Sequence, residues 1–250
     1  MTDRNEARQK VWKELRKVAK PDSRFHLNFA EFIPDFQGSD MATERLIQMD
    51  IYQQAKVIFI TPDNCLEQLR AQAIRDGKVL IISTYGIRRG LVELLPEDVP
   101  DGLTDYAVLL DVIEGLGRHI SLSELKERYG KVDVLVTGAS AVTHSGARFG
   151  KGHGFFDLEW AMFFQTGVVD AHTPVIAFVH DCQVVDLDLP VYEYDTICDY
   201  IVTPTNTFVV ENPHKPVTGV IWDRLEPGMM EAISPLEELK NMQAPKAVGQ

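Results

Sequence analysis

The sequence predicts a three-layer α/β/α domain with a mostly parallel central sheet. Short, continuous runs of apolar and β-branched residues alternate with segments of helical periodicity, which is typical of strands buried on both faces. No repeat or linker interrupts the chain, so we predict one domain over residues 1–250. The predicted strands are 57–60, 79–82, 132–136, 175–179 and 200–202, and the predicted helices are 4–19, 40–55, 63–75, 121–129 and 155–166.

Several helix ends carry their own signals. Ser121 and Glu124 form a Ser-x-x-Glu capping box, and Gly130 follows the end of that helix. Asp40 is expected to cap the second helix, and Gly77 to close the third. These local signals give the predicted helices their boundaries.

Composition excludes several classes of protein. The 250 residues hold 25 Lys and Arg against 37 Asp and Glu, a formal net charge of −12, which argues against a nucleic-acid partner. No apolar run approaches the roughly 18 residues of a membrane helix, and the N-terminus is charged where a secretory signal is apolar. Three cysteines without C-x-x-C spacing indicate neither a disulfide framework nor a zinc ribbon. We therefore expect no nucleic-acid partner, no membrane contact and a cytoplasmic location.

The N-terminal segment departs from this acidic average. Residues 1–24 hold eight basic side chains against four acidic ones, a net charge of +4. The predicted basic helix, 4–19, allows two interpretations: a solvated surface, or a source of cations for an anionic ligand.

The strongest motif is RFGKGHGFFD, residues 148–157. Alternating glycines let the backbone approach a ligand and expose N–H groups, and the helix that begins near Phe155 directs its positive dipole end to the same space. Arg148 and Lys151 add two cations that suit phosphate. The motif predicts a phosphate-binding loop, which we call the phosphate loop, rather than a flexible turn. It differs from both the dinucleotide fingerprint and the Walker loop.

This run resembles the R-[LI]-G-x-G-x-G-[YF]-[YF]-D signature of the 5-formyltetrahydrofolate cyclo-ligase family, the methenyltetrahydrofolate synthetases. The runs DLEWAM (157–162), VHDCQVV (179–185) and DYIVTP (199–204) are similar to its methenyltetrahydrofolate-synthetase-domain-containing branch. The resemblance implies a three-layer fold similar to sugar-phosphate isomerases and CoA transferases. It also implies an ATP- and Mg²⁺-dependent conversion of 5-formyltetrahydrofolate to 5,10-methenyltetrahydrofolate, with release of ADP and phosphate.

The resemblance also implies roles for single residues. Lys151 and Arg148 would be catalytic, with Lys151 reaching the γ-phosphoryl group and the formyl oxygen. The family's ATP-contacting K-x-x-L-R pattern corresponds to Lys13-Glu14-Leu15-Arg16. The expected ATP-binding residues are therefore Lys13, Arg16, Arg148, Gly150, Lys151, Gly152, His153, Gly154, Phe155 and Phe156.

Metal and folate residues follow from the same resemblance. Asp157 would bind Mg²⁺, and Asp195, four residues before Asp199, fits the spacing of a second metal-side carboxylate. Phe155 and Phe156 replace the usual tyrosines and either stack on the pterin or pack in the core. The expected substrate-binding residues are Asp63, Tyr85, Lys151 and Phe155.

Departures from the family pattern leave other functions open. The stretch 61–65 lacks the family's folate-side glutamate, so Asp63 either replaces it or only caps a helix. The arginine pair 88–89 either binds a carboxylate tail or covers the sheet edge. His180 and Asp181 replace a Glu or Gln, and adjacent residues at a strand end should not form a dyad. The alternatives are a non-catalytic nucleotide- or folate-binding protein and, less favoured for want of a nucleophilic glutamate, an isomerase or CoA transferase.

Overall fold

The computed structural model describes residues 3–243, so residues 1–2 and 244–250 of the predicted domain lie outside the described part. None of the described helices is long and apolar enough to cross a membrane. The helices are α1 (Arg4–Leu15), α2 (Ser39–Ile47), α3 (Asp50–Gln54), α4 (Glu67–Arg75), α5 (Thr104–Ala107), α6 (Leu110–Leu116), α7 (Leu122–Tyr129), α8 (Phe155–Thr166), α9 (Met229–Ala232) and α10 (Ser234–Gln243). The strands are β1 (Val57–Ile60), β2 (Val79–Ser83), β3 (Leu91–Leu94), β4 (Arg118–Ile120), β5 (Val134–Thr137), β6 (Ala141–Thr143), β7 (Arg148–Phe149), β8 (Val175–Phe178), β9 (Val184–Val185), β10 (Tyr200–Val202) and β11 (Thr207–Val209).

The central sheet has the order β11-β10-β8-β5-β1-β2-β3-β4, and its five strands from β10 to β2 are parallel. Phe59 of β1 pairs with Ile81 on one side and Leu135 on the other. Alternate residues of β1 belong to separate apolar clusters, Phe59 to one and Ile58 to the other, because successive side chains point to opposite faces. The predicted three-layer α/β/α class is confirmed.

Several strands were not predicted. The strands β3 and β4 continue the central sheet antiparallel beyond β2, and β11 does the same beyond β10. A second sheet of order β7-β6-β9 lies beside the phosphate loop. Its strands have only two or three residues, too few to show an alternating pattern in the sequence.

Three helix predictions were wrong in their bounds. The α-helix predicted over 63–75 begins at Glu67, after a short 3₁₀-helix at Asn64–Leu66. The first helix ends at Leu15 rather than residue 19, because Ala19 forms a β-bridge with Phe36. The predicted helix 40–55 is divided into α2 and α3, and its N-cap is Gly38, at φ 84°, rather than Asp40. By contrast, α8 and β10 match their predicted bounds, and the capping box forms as predicted, with the Ser121 hydroxyl accepting from the amide of Glu124.

The loop after β1 is fixed by Arg70 of α4. Its guanidinium group is fully buried and donates to the carbonyl oxygens of Thr61 and Asp63, each at 3.0 Å, and of Val108 at 3.2 Å. Thr61 and Val108 are buried, so without Arg70 their carbonyl groups would lose hydrogen bonds that water could not readily replace. Arg70 therefore positions the strand-end loop that carries Asp63.

We expect Arg70→Lys to lower the free energy of unfolding by about 2 kcal/mol, because an ammonium group cannot reproduce the planar fork that serves three carbonyls. Arg75→Lys on the same helix, where the arginine pairs with Asp105 at the surface, should change it by less than about 0.5 kcal/mol. Urea denaturation of both variants measures this difference. Equal stability of the two would contradict the role of Arg70.

Candidate functional site

A cleft lies at the carboxyl edge of the parallel strands, where ligands bind in open α/β sheets. Loops 61–64, 83–87 and 137–138, after β1, β2 and β5, form one wall, and the phosphate loop forms another. We call it the first cleft, and it encloses about 760 Å³ of space open to solvent. The sequence-predicted residues that line it are Asp63, Tyr85, Arg148, Gly150, Lys151, His153, Gly154, Phe155, Phe156 and Asp157.

The phosphate loop runs from β7 into the N-terminus of α8. Gly152 has φ 123° and Gly154, the N-cap of α8, has φ 65°, conformations that favour glycine. A side chain at Gly150 or Gly154 would meet nothing within 4 Å, so this part of the backbone is open. The loop therefore leaves room for a ligand at the positive end of a 12-residue helix.

Arg148 and Asp157 join the two ends of this loop. Arg148 Nη2 lies 3.2 Å from Asp157 Oδ1, which also accepts from the amide of Thr196 at 2.9 Å. Burial raises the pKa of Asp157, and the positive charge of Arg148 opposes that rise. The guanidinium group packs 4.3 Å from the ring centroid of Phe156, and its Nε has no hydrogen-bond partner among the described residues. Arg148 Nε is thus a buried donor that the described part of the chain leaves without a partner.

Lys151 crosses the mouth of the first cleft. Its Nζ donates to the carbonyl oxygen of Glu31 at 3.0 Å and lies 5.1 Å from the ring centroid of Tyr85. Because this partner is a neutral carbonyl group, the positive charge of Lys151 remains available to an anionic ligand.

Aromatic side chains line the first cleft opposite the phosphate loop. Phe25 stacks on Phe32, with 4.5 Å between ring centroids, and Tyr85 lies 6.3 Å from Phe25. Of the predicted aromatic pair, Phe155 is partly exposed at the cleft, whereas Phe156 is buried in the core. Phe25 and Phe32 could not be singled out beforehand, because they lie in a segment without helical or strand periodicity. The cleft offers flat apolar faces to a ring.

Asp63 connects two strand-end loops. Its Oδ2 accepts from Thr61 Oγ1 at 2.6 Å and from the amide of Gly138 at 2.9 Å, and its side chain does not cap the short 3₁₀-helix Asn64–Leu66. Helix capping, one of the two interpretations of Asp63, is therefore wrong. One of its carboxylate oxygens is already engaged within the protein.

Glu159 of α8 is a cleft residue that the sequence reasoning missed. It is 2% exposed and lines the first cleft. Burial raises its pKa to about 8; the neighbouring Ser83 side chain lowers the pKa and the negative charge of Asp63 raises it. An acidic residue in the largely apolar run FFDLEWAMFF was the signal that could have identified it.

The phosphate loop also borders a second cleft, on its other side. This second cleft has about 920 Å³ of open space and is lined by Gly152, Gly154 and Asp157 from the loop and by part of the segment 219–229. Tyr194 and Arg224 add polar groups to its wall. Asp157 therefore faces both clefts from the start of α8.

The N-terminal helix reaches the phosphate loop through a different arginine than expected. Arg8 is buried, and its Nε donates to the carbonyl oxygen of Gly150 at 2.8 Å. Lys13 and Arg16 are exposed and line neither cleft, and Arg16 donates to the carbonyl oxygen of Leu27 instead. In K-x-x-L-R the two basic residues are four positions apart, the spacing of Arg4 and Arg8, whereas Lys13 and Arg16 are three apart. The four-residue spacing was the signal in the sequence that could have pointed to Arg4 and Arg8.

The two predicted metal ligands differ in their surroundings. Asp195 is 4% exposed, pairs with Arg4, accepts from the amide of Tyr192 at 2.6 Å and lines neither cleft. Within residues 3–243 no group of three or more His, Cys, Asp or Glu is placed to hold a metal ion. Mg²⁺ beside phosphates needs only one or two carboxylates, so Asp157 fits such an ion, while Asp195 fits only if Arg4 releases it.

The remaining polar candidates have structural partners. Arg89 forms a two-point ion pair with Glu114, which supports the interpretation that the arginine pair covers the sheet edge. His180 Nδ1 accepts from the amide of Cys182, and Asp181 accepts from two threonine hydroxyl groups. His180 and Asp181 therefore do not form a dyad, as expected.

A parallel α/β sheet with a glycine-rich loop and two basic side chains beside an aromatic cleft is typical of proteins that bind small phosphorylated or heterocyclic molecules. The chain belongs to the 5-formyltetrahydrofolate cyclo-ligase family, whose family model matches residues 1–204. This match confirms the family that the motif of the phosphate loop predicted.

Relatives agree with this assignment. The methenyltetrahydrofolate synthase domain-containing protein of Homo sapiens is 34% identical over 210 residues, which are 83% of this chain and 54% of that protein. The chain thus spans about half the length of that relative. The 5-formyltetrahydrofolate cyclo-ligase of Escherichia coli is 33% identical over 81 residues, 31% of this chain and 40% of that protein. The NMR structure of Aquifex aeolicus 5,10-methenyltetrahydrofolate synthetase has a TM-score of 0.53 at 15% identity, covers 83% of this chain and 93% of its own, and shows likeness of fold alone.

We expect Arg8→Ala to loosen the phosphate loop, because the carbonyl group of Gly150 loses its donor. Amide hydrogen exchange of a peptide spanning 148–156 should accelerate about fivefold, which corresponds to a net hydrogen bond of about 1 kcal/mol. Arg16→Ala is the matched control and should leave this exchange unchanged. Equal exchange of the loop in the Arg8 variant and the wild type would show that Arg8 does not hold it.

Proposed function

We propose that the protein is an ATP-dependent cyclo-ligase that converts 5-formyltetrahydrofolate to 5,10-methenyltetrahydrofolate and releases ADP and phosphate. Membership of the family supports the reaction. The observation that carries the proposal for this chain is the convergence of Arg148, Lys151 and Asp157 on a phosphate loop beside an aromatic cleft.

The reaction needs a leaving group and a fixed geometry. The formyl oxygen is a poor leaving group, so it attacks the γ-phosphorus of ATP, and the bond from that phosphorus to the bridging oxygen breaks to release ADP. The N10 nitrogen then attacks the formyl carbon and loses its proton, and the carbon–oxygen bond breaks to release phosphate. These steps require two ligands held in line and charge stabilisation on the transferred phosphoryl group.

The first cleft suits the folate and the phosphate loop suits the polyphosphate. Phe25, Phe32 and Tyr85 offer flat faces to the pterin, and Lys151 at the cleft mouth would reach both the γ-phosphoryl group and the formyl oxygen. The open backbone at Gly150 and Gly154 would bind phosphate oxygens, and the charge of Arg148 beside the loop would favour them.

The second cleft suits the nucleoside part of ATP, because the phosphate loop borders both clefts. Asp157 faces both and would hold Mg²⁺ together with phosphate oxygens. When bound, the ion would neutralise charge on the phosphoryl group.

A non-catalytic nucleotide- or folate-binding protein is the second candidate. Two observations favour it: residues 61–65 contain no glutamate, and the Asp195 carboxylate is occupied by Arg4.

The direct test is purified protein with MgATP and 5-formyltetrahydrofolate, followed by methenyl absorbance and ADP release. Appearance of both supports the ligase, whereas nucleotide or folate binding without turnover supports the second candidate. If the protein bound neither the nucleotide nor 5-formyltetrahydrofolate, both candidate functions would be wrong.

For the ligase we expect Lys151→Ala to lower kcat about a hundredfold, because its ammonium group stabilises charge that develops during phosphoryl transfer. The Kd for ATP should rise by less than about tenfold, since less of that charge is present in the ground state. Lys131→Ala, which alters an exposed lysine on another loop, is the matched control. A Lys151 variant with the wild-type kcat would remove this residue from the mechanism.

A further inference from the structure

The first cleft contains a carboxyl group that takes no part in the proposed phosphoryl transfer or ring closure. Glu159 projects from α8 into the first cleft, and its side chain is 2% exposed. An acidic side chain taken out of water destabilises the folded protein unless a partner or a ligand compensates.

Buried carboxylates elsewhere in the described structure have such partners. Glu93 of β3 is equally buried, and its carboxylate lies 3.2 Å from Arg118 Nε and 3.4 Å from Arg128 Nε. In the first cleft, by contrast, the nearby cation Arg148 is paired with Asp157. Ser83 lies beside Glu159 and its side chain lowers the pKa of that carboxyl group, but the two do not form a well-aligned hydrogen bond. The Glu159 carboxyl group therefore has no cationic partner of its own among the described residues, and the open side of the cleft is where a ligand can supply a partner.

We propose that Glu159 binds the 2-amino and N3–H edge of a reduced pterin in the first cleft, an inference that rests on the proposed function. In its ionised form Glu159 accepts two parallel N–H bonds, and the guanidine-like edge of the pterin offers two adjacent N–H donors, which favour the ionised form over the protonated form that burial favours. The hydroxyl group of Ser83 is then available to the neighbouring ring carbonyl.

The ionised form of Glu159 does not fit adenine. Adenine presents an amino donor beside ring nitrogens that accept, so an ionised carboxylate there would face a lone pair rather than a second N–H group. When ionised, Glu159 thus favours the folate in the first cleft and leaves the nucleoside to the second cleft.

Asp63 is less suited to this role. One of its oxygens is held by Thr61 and Gly138, so it cannot offer both oxygens to a ligand without breaking the contact between two strand-end loops. Since residues 61–65 contain no glutamate, this chain supplies the folate-side carboxyl group from α8 instead.

The test measures binding of 5-formyltetrahydrofolate without nucleotide, and separately of ATP, by titration calorimetry. Glu159→Gln keeps the side-chain volume but offers only one acceptor. We expect the Kd for 5-formyltetrahydrofolate to rise about ten- to a hundredfold and the Kd for ATP to change by less than about twofold. The melting temperature should stay the same or rise, because Gln removes a buried acidic group and can still accept from the Ser83 side chain. Glu127→Gln, an exposed glutamate on α7, is the matched control.

A second measurement does not depend on the variant folding. Wild-type protein should bind the 2-desamino analogue of 5-formyltetrahydrofolate more weakly than the parent, by a similar factor, because one N–H donor is missing. Unchanged folate affinity in Glu159→Gln, or equal affinity of the wild type for the two folates, would overturn the role of Glu159 and leave the proposed function standing. A lower melting temperature with equal loss of both ligands would make Glu159 structural. Failure of the wild type to bind 5-formyltetrahydrofolate would overturn both proposals.

Discussion

The ion pair between Arg148 and Asp157 is the contact on which both clefts depend. It joins β7 to the first turn of α8, and so closes a loop in which three of the eight intervening residues are glycine. Both side chains lie in a poorly hydrated environment, where loss of one partner would leave the other as an uncompensated charge. With the ends fixed, the glycine backbone is presented to the first cleft on one side and to the second cleft on the other.

Features with local causes could be predicted from the sequence. Helix α8 begins after a glycine and ends before another, and β1, β5 and β8 are continuous apolar runs, so the parallel sheet and the phosphate loop follow from short stretches of chain. The second sheet and the strands β3, β4 and β11 could not be predicted, because such short strands show no period of their own and form only through pairing with distant residues.

Arg8, Phe25 and Phe32 were not identified from the sequence, because each reaches the phosphate loop or the first cleft only through the tertiary fold. On α1 the buried face carries Ala7, Arg8 and Val11, and this face packs against the small sheet, whereas Lys13 and Arg16 point away from it. Phe25 and Phe32 reach the first cleft through an irregular segment that no pattern describes. Glu159 is the exception, since an acid within an apolar helix is visible in the sequence, and only its place in the cleft required the structure.

If the proposed function is right, the phosphate loop contacts two ligands at once: a reduced folate in the first cleft and a nucleotide that extends into the second cleft. The most direct measurement is titration of 5-formyltetrahydrofolate into the protein with and without a saturating, non-hydrolysable ATP analogue and Mg²⁺. We expect one bound folate per chain in both titrations, with the nucleotide still bound. Displacement of the nucleotide by the folate would contradict simultaneous binding in two clefts, because it would place both ligands in the same cleft.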